Sequence, residues 1–194
     1  MDRYFTEIHE VSQTFYPYAN PYENLTELSI DEQKELTHEV FQKIWKEKLS
    51  QSTKADTYRE FKSEMKFEPY LYHTNRKERV AMSKLRLSDH KLMIEVGRHQ
   101  RPLIPRPERK CQMCRNEVES EIHFLTSCKL YGTQDRYWDT IHNLVPQIAT
   151  HSNTDRFIYI MTQEDPEITK ILMKMNYEWM SFRKFLHENF YHQN

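Results

Sequence analysis

Two glycines in 194 residues, Gly97 and Gly132, constrain this chain more than any other feature. Hairpins, bulges and doubly wound sheets draw on glycine for backbone that other residues avoid. A phosphate-cradling loop needs glycines in a cluster, and none exists here. A chain so poor in glycine and rich in Glu, Lys, Leu and Met is expected to be mainly α. Charged residues make up 29% of it and the mean hydropathy is −0.90, so the core should be small and the surface wet.

Helix signals recur along the sequence. Ser29 and Glu32 form a capping box, followed by an apolar face at Leu36, Val40, Phe41, Ile44, Trp45 and Leu49. A second helix is expected over 55–65, with Tyr58, Phe61 and Met65 on one side. A third begins near Asn75 and carries Val80, Met82, Leu85 and Leu87. Ser88 is placed as the cap of a fourth, which contains Leu92, Ile94 and Val96 and ends at Gly97. Pro102, Pro105 and Pro107 then exclude a helix and favour a stiff, extended connector. Residues 119–130 and 134–144 read as helical, and 155–161 as helix or strand. Asp165-Pro166 is a strong start, with Ile168, Leu172, Met175, Trp179, Phe182 and Leu186 on the face that follows. Residues 1–28 read as an irregular aromatic lead-in, expected to pack through Phe15, Tyr16, Tyr18 and Tyr22. The expected organisation is 1–52, lead-in plus amphipathic helix, and 53–194, a helical metal-binding module.

All three cysteines fall in CQMCRNEVESEIHFLTSC, residues 111–128, with a histidine between the second and third. The spacing Cys111-x2-Cys114-x8-His123-x4-Cys128 offers four zinc donors in two pairs. Three buried thiols beside an unrelated histidine is the plainer alternative. Four protein ligands would close the zinc shell, so one structural zinc is expected, in a zinc knuckle at 111–128 embedded in a small helical domain. The deaminase arrangement, H-x-E before P-C-x-x-C, is absent. Glu117, Glu119 and Glu121 read as the acidic first turn of the helix bearing His123. An odd cysteine count argues against a disulfide framework and for a reducing interior, cytosol or nucleus. No run of eighteen apolar residues exists, so neither a membrane span nor a membrane partner is expected. The opening MDRYFTEIHEV carries acids early and no apolar stretch, so a secretory signal is not expected.

The net charge of −1 conceals a pattern: −5 over residues 1–74, +7 over 75–110 and −3 over 111–194. In the basic block, Lys84, Arg86, Lys91, Arg98, Arg101, Arg106, Arg109 and Lys110 are candidates for binding RNA or DNA along a phosphate backbone. The alternative is a solvated surface, with Arg98 simply paired to Glu95.

Three stretches, SKLRLSDHKLMIEVGRH, IPRPERKCQMC and EVESEIHFLTSCKLYGTQDRYW, resemble the zinc-binding region that follows the polymerase in non-LTR retrotransposon reverse transcriptases. Arg86, Ser88, His90, Leu92, Ile94, Glu95, Gly97 and Arg98 match the first part of that pattern. Glu108, Arg109, Cys111 and Cys114 match the second. Glu119, Glu121, His123, Phe124, Leu125, Cys128 and Tyr131 match the third. The resemblance covers residues 53–185 and implies zinc at the four ligands and a grip on template RNA or target DNA. The paired aspartates of a polymerase are missing, and so is a nuclease motif. The expectation is therefore a non-catalytic, retroelement-derived piece, with a protein-interaction or structural module as the alternative.

Overall fold

A computed structural model of the protein describes residues 29–131 and 134–191. The chain divides into two compact units, Met1–Ser52 and Thr53–Asn194. The aromatic lead-in read at 1–28 lies outside the described residues.

In the first unit, α1 (Ile30–Gln51) starts as its capping box requires. Ser29 Oγ accepts the Glu32 N–H, and Glu32 Oε2 accepts the Ser29 N–H at 2.8 Å. The Ser29 hydrogen bonds hold the Glu32 carboxyl below its ordinary pKa. Val40 and Ile44 are the buried residues of its apolar stripe, while Phe41 is exposed.

The second unit is mainly α, and its described residues form no strand. Its helices are α2 (Asp56–Phe61), α3 (Arg76–Arg86), α4 (Met93–His99), α5 (Gln134–Leu144), α6 (Asn153–Met161) and α7 (Pro166–Leu186). Three starts follow local chemistry. Asn75 Oδ1 caps α3, Ser152 Oγ caps α6, and Asp165 Oδ1 caps α7 with Pro166 in its first turn. The run 155–161, open between helix and strand, is helix. The proline connector 101–105 is irregular and leads into a single 3₁₀ turn, Arg106–Glu108.

α7 is the spine of this unit, with α3 and α5 packed along it. It buries Ile168, Leu172, Met175 and Trp179, one helical turn apart. Phe124 meets the Trp179 ring edge-on at 5.9 Å, and Tyr131 stacks on it at 6.0 Å. The expected continuation of this face to Phe182 is wrong. Phe182 is 40% exposed, and the buried place belongs to Arg183, four residues after Trp179 and so directly beneath it. On α3, Met82 and Leu85 are buried, whereas Val80 and Leu87 face solvent.

The region between α3 and the cysteines departs most from expectation. Ser88 does not cap α4; it ends α3. With φ 51°, Ser88 occupies the left-handed position of a Schellman motif. The Asp89 N–H donates to Lys84 O at 2.7 Å and the Ser88 N–H to Leu85 O at 3.2 Å. Helix α4 starts five residues later, and Leu92, its N-cap, has no capping side chain. Glu119 does that work from 26 residues away: its Oε2 accepts the Met93 N–H at 2.7 Å, and its backbone O accepts the Ile94 N–H at 3.1 Å.

Gly97 is not a C-cap. It lies inside α4, and a Cβ there would stand 2.6 Å from Arg109 Cγ and 2.9 Å from Arg109 Cδ. The buried Arg109 chain crosses the helix at this point, fixed by donation from Nε to Ile104 O and from a terminal nitrogen to Ile94 O. Helix propensity alone would make Gly97→Ala stabilising by up to about 1 kcal/mol. Overpacking against a pinned side chain costs about 1–3 kcal/mol, so a net loss of up to about 2 kcal/mol is expected. Urea unfolding measures the sign; a gain in stability would show that Arg109 moves aside freely.

Candidate metal centre

Two local devices bring the four donors together. The first is the turn Cys111–Cys114. Lys110 and Val118 form an isolated antiparallel bridge, and Glu119 N–H donates to Arg109 O at 2.9 Å. Cys111 N–H donates to Glu117 O at 2.8 Å, and Arg115 N–H to Cys111 O at 2.8 Å. Arg115, at φ 59°, supplies the left-handed residue that lets the turn close. Both sulfurs therefore leave one tight loop.

The second device corrects the helix expected over 119–130. Only one helical stretch forms there, and its His123–Ser127 portion is a π-turn. In an α-helix, a residue five positions on is rotated by about 140° from the first. Here the Cys128 N–H donates to His123 O at 2.9 Å, closing the wider i→i+5 ring. That closure brings His123 and Cys128 to one side.

The four donor atoms lie within 4.8 Å of one another. Cys111 Sγ is 3.7 Å from Cys128 Sγ, and Cys114 Sγ is 3.3 Å from His123 Nε2. All three cysteines are free thiols. Cys111, Cys128 and His123 are buried, while Cys114 reaches the surface. This set can bind a metal ion. Glu117, though largely exposed, places Oε2 2.9 Å from His123 Nδ1 and so directs Nε2 at the sulfurs. Burial alone would depress the His123 pKa, but the Cys111 and Glu117 hydrogen bonds outweigh it and raise it to about 9. The contact with Cys128, aided by burial, pushes the Cys111 thiol up to about 12. The same contact lowers the Cys128 thiol, so the two sulfurs share one proton unequally.

Glu119 and Glu121 are not solvated first-turn acids. Both are buried, and each is a hub. Glu119 Oε1 accepts from Arg183 Nε at 2.8 Å and Tyr131 Oη at 3.1 Å, and lies 3.7 Å from Cys111 Sγ. Its Oε2 accepts from a terminal nitrogen of Arg183 at 2.7 Å. Glu121 accepts from Ser88 Oγ at 2.8 Å and Thr57 Oγ1 at 2.9 Å, and pairs with His90 Nε2 at 2.9 Å. Burial raises the Glu121 pKa, but His90 and the other donors overcome it and bring it down to about 2. Ser88, His90 and Glu121 are not a nucleophile relay. The carboxylate stands between the other two, and His90 Nδ1 accepts the Leu92 N–H. The repeated acids at 117, 119 and 121 were the visible signal for these roles. Nothing in the sequence around Arg183 marked it.

The basic block separates into two groups. Arg86 and Arg109 are buried and leave the nucleic-acid candidates, because a phosphate backbone cannot reach them. Arg86 donates to Met161 O and to Glu68 Oε2, and its guanidinium lies 4.4 Å from the Phe61 ring centre. Arg109 is committed to Ile104 O and Ile94 O. Arg98 donates to Thr53 O and sits 3.4 Å from Glu95, the pairing that was the plainer alternative. Lys84, Lys91, Arg101, Arg106 and Lys110 are exposed, with Arg106 3.0 Å from Asp56. Among the described residues, no helix is long and apolar enough to cross a membrane. No family model, curated protein or solved structure matches the chain.

Proposed function

We propose that residues 53–194 form a zinc-stabilised, non-catalytic module that binds RNA or DNA inside the cell. In this reading it is a retroelement-derived relative of the zinc-binding region of non-LTR retrotransposon reverse transcriptases. The observation that carries it is the convergence of three sulfurs and one imidazole nitrogen within 4.8 Å. Bonds of about 2.3 Å to sulfur and about 2.0–2.1 Å to nitrogen set tetrahedron edges of about 3.8 Å for S···S and about 3.5 Å for S···N. The separations of 3.7 and 3.3 Å support that geometry. Thiolate and imidazole select zinc over hard cations, and four protein donors leave no open position for chemistry. The residues carrying the resemblance also support it, since Ser88, His90, Gly97, Arg109, Glu119, Glu121 and Tyr131 build the frame around the donors.

Lys84, Lys91, Arg101, Arg106 and Lys110, with Arg98 at the edge, are the cations left for phosphate contact. Fluorescence anisotropy with single-stranded RNA and with duplex DNA tests this. Binding is expected at about 50 mM salt, weakening steeply as salt rises. Alanine at the five exposed cations should weaken it about equally for all sequences. No binding at low salt would end the nucleic-acid reading. A protein-interaction module is the second reading. It is favoured by the exposed Phe67 and Tyr72, whose rings meet at 4.5 Å on the surface. A partner whose capture survives nuclease treatment would select it.

A further inference from the structure

Arg183 comes from the last turn of α7, far in sequence from the knuckle, yet its guanidinium reaches into the metal centre's surroundings. Its side chain is 4% exposed and that of Glu119 is 0% exposed. It holds Glu119 through two parallel bonds, from Nε at 2.8 Å and a terminal nitrogen at 2.7 Å. The same terminal nitrogen donates to Gln112 Oε1 at 3.1 Å, inside the Cys111–Cys114 turn. One side chain thus ties α7 to both the carboxylate beside Cys111 and the loop that presents two sulfurs.

Charge counting shows why that matters. Three thiolates, a neutral imidazole and a dication leave the filled centre with one net negative charge. Glu117 and Glu119 add two more close by. Water screens Glu117, which is 62% exposed, but none reaches Glu119. With metal bound, Cys111 carries no proton to donate to Glu119 Oε1, 3.7 Å away. The two become neighbouring anions in a site of low polarity, where repulsion is poorly screened. Tyr131 Oη and the Arg183 guanidinium are the groups that face that oxygen with positive potential.

We infer that Arg183 is the counter-charge that lets the knuckle hold its metal tightly, so metal occupancy and the seating of the end of α7 are coupled. This rests on the metal reading above. It is a positioning role, exerted through Glu119 and Gln112, and not a ligand role. Coupling of this kind is reciprocal, so metal also tightens α7 against the knuckle.

Chelator competition with zinc, repeated with cobalt(II) for its thiolate absorption, measures the effect on the full chain. Arg183→Met is expected to weaken metal affinity about 10–100-fold, the range typical of groups that support metal ligands. Arg183→Lys should recover part of the loss. Removing the stranded anion as well, in Glu119→Gln with Arg183→Met, should recover most of it. A purely structural arginine would behave differently. It would lower the denaturation midpoint in excess zinc but leave metal affinity within twofold, and the double variant would do no better than the single one. Either result overturns the coupling. If Arg183→Met does not fold, Arg183→Lys and the double variant decide the question on the same scale. A wild-type chain that binds no metal would overturn the metal reading itself, whereas tight wild-type binding with an indifferent Arg183→Met would overturn the coupling alone.

Discussion

Stripping the metal with a strong chelator at neutral pH is expected to unfold residues 53–194 cooperatively. A structural zinc site contributes about 10–16 kcal/mol, against about 5–15 kcal/mol for the net stability of a whole domain. The metal term is therefore large enough to decide between folded and unfolded. The structure makes that coupling direct. Cys111 and Cys128 are at 0% and 1% exposure, in the same cluster as Phe124, Tyr131 and Trp179. Without metal, the turn at 111–114 and the π-turn at 123–127 are held to each other by weak thiol contacts. Near-UV circular dichroism from Trp179 should collapse on chelation and return with zinc. Cys114→Ser changes the most accessible ligand and disturbs packing least, so it should reproduce the loss in the presence of zinc. A metal-free chain with unchanged helicity and denaturant midpoint would show that the four side chains merely fill the core.

Acid should act through a different residue, Glu121. Its carboxyl titrates at about 2 in the folded chain, against 4.5 when unperturbed. The folded value is the lower one, so the stabilisation is complete above pH 4.5 and is lost as pH falls toward 2. The difference corresponds to about 3 kcal/mol at neutral pH. His90 and Ser88 lower the carboxyl's pKa, and with Thr57 they join α2 and the end of α3 to the knuckle. Glu121→Gln should lower stability at pH 7 and flatten its decline between pH 4.5 and 2. Chemical denaturation across that range, with zinc in excess, compares the two proteins; acid release of metal is common to both and cancels in the difference. Parallel curves would mean that Glu121 has no special pairing.

Much of the fold was readable because its signals are local. Ser29, Asn75 and Asp165 start helices through bonds to amides two or three residues away. The misreadings cluster where a partner lies far along the chain. Ser88 looked like a cap because serine commonly is one; its left-handed backbone is tolerated beside its bond to Glu121, 33 residues on. Gly97 looked like a helix end because glycine commonly is one; it is needed for the passage of Arg109. Arg86 looked like a phosphate ligand, yet its partners are Glu68 and Met161.

The sequence by itself determined the donor set. The spacing of residues 111, 114, 123 and 128 marks them as four donors, while the π-turn at His123–Ser127 is what brings the second pair to one side. The sequence also determined that the chain is helical, because two glycines cannot furnish the turns of a sheet. Tertiary structure decided which charges are buried. Arg183, Arg86, Arg109, Glu119 and Glu121 become structural only where folding removes water and supplies a partner, a carboxylate for Arg183 and Arg86 and backbone carbonyls for Arg109. The cost of burying an ion depends on that partner, and the Arg183–Glu119 pair stands 64 residues apart. Local propensity acts over a few residues and carries no record of them.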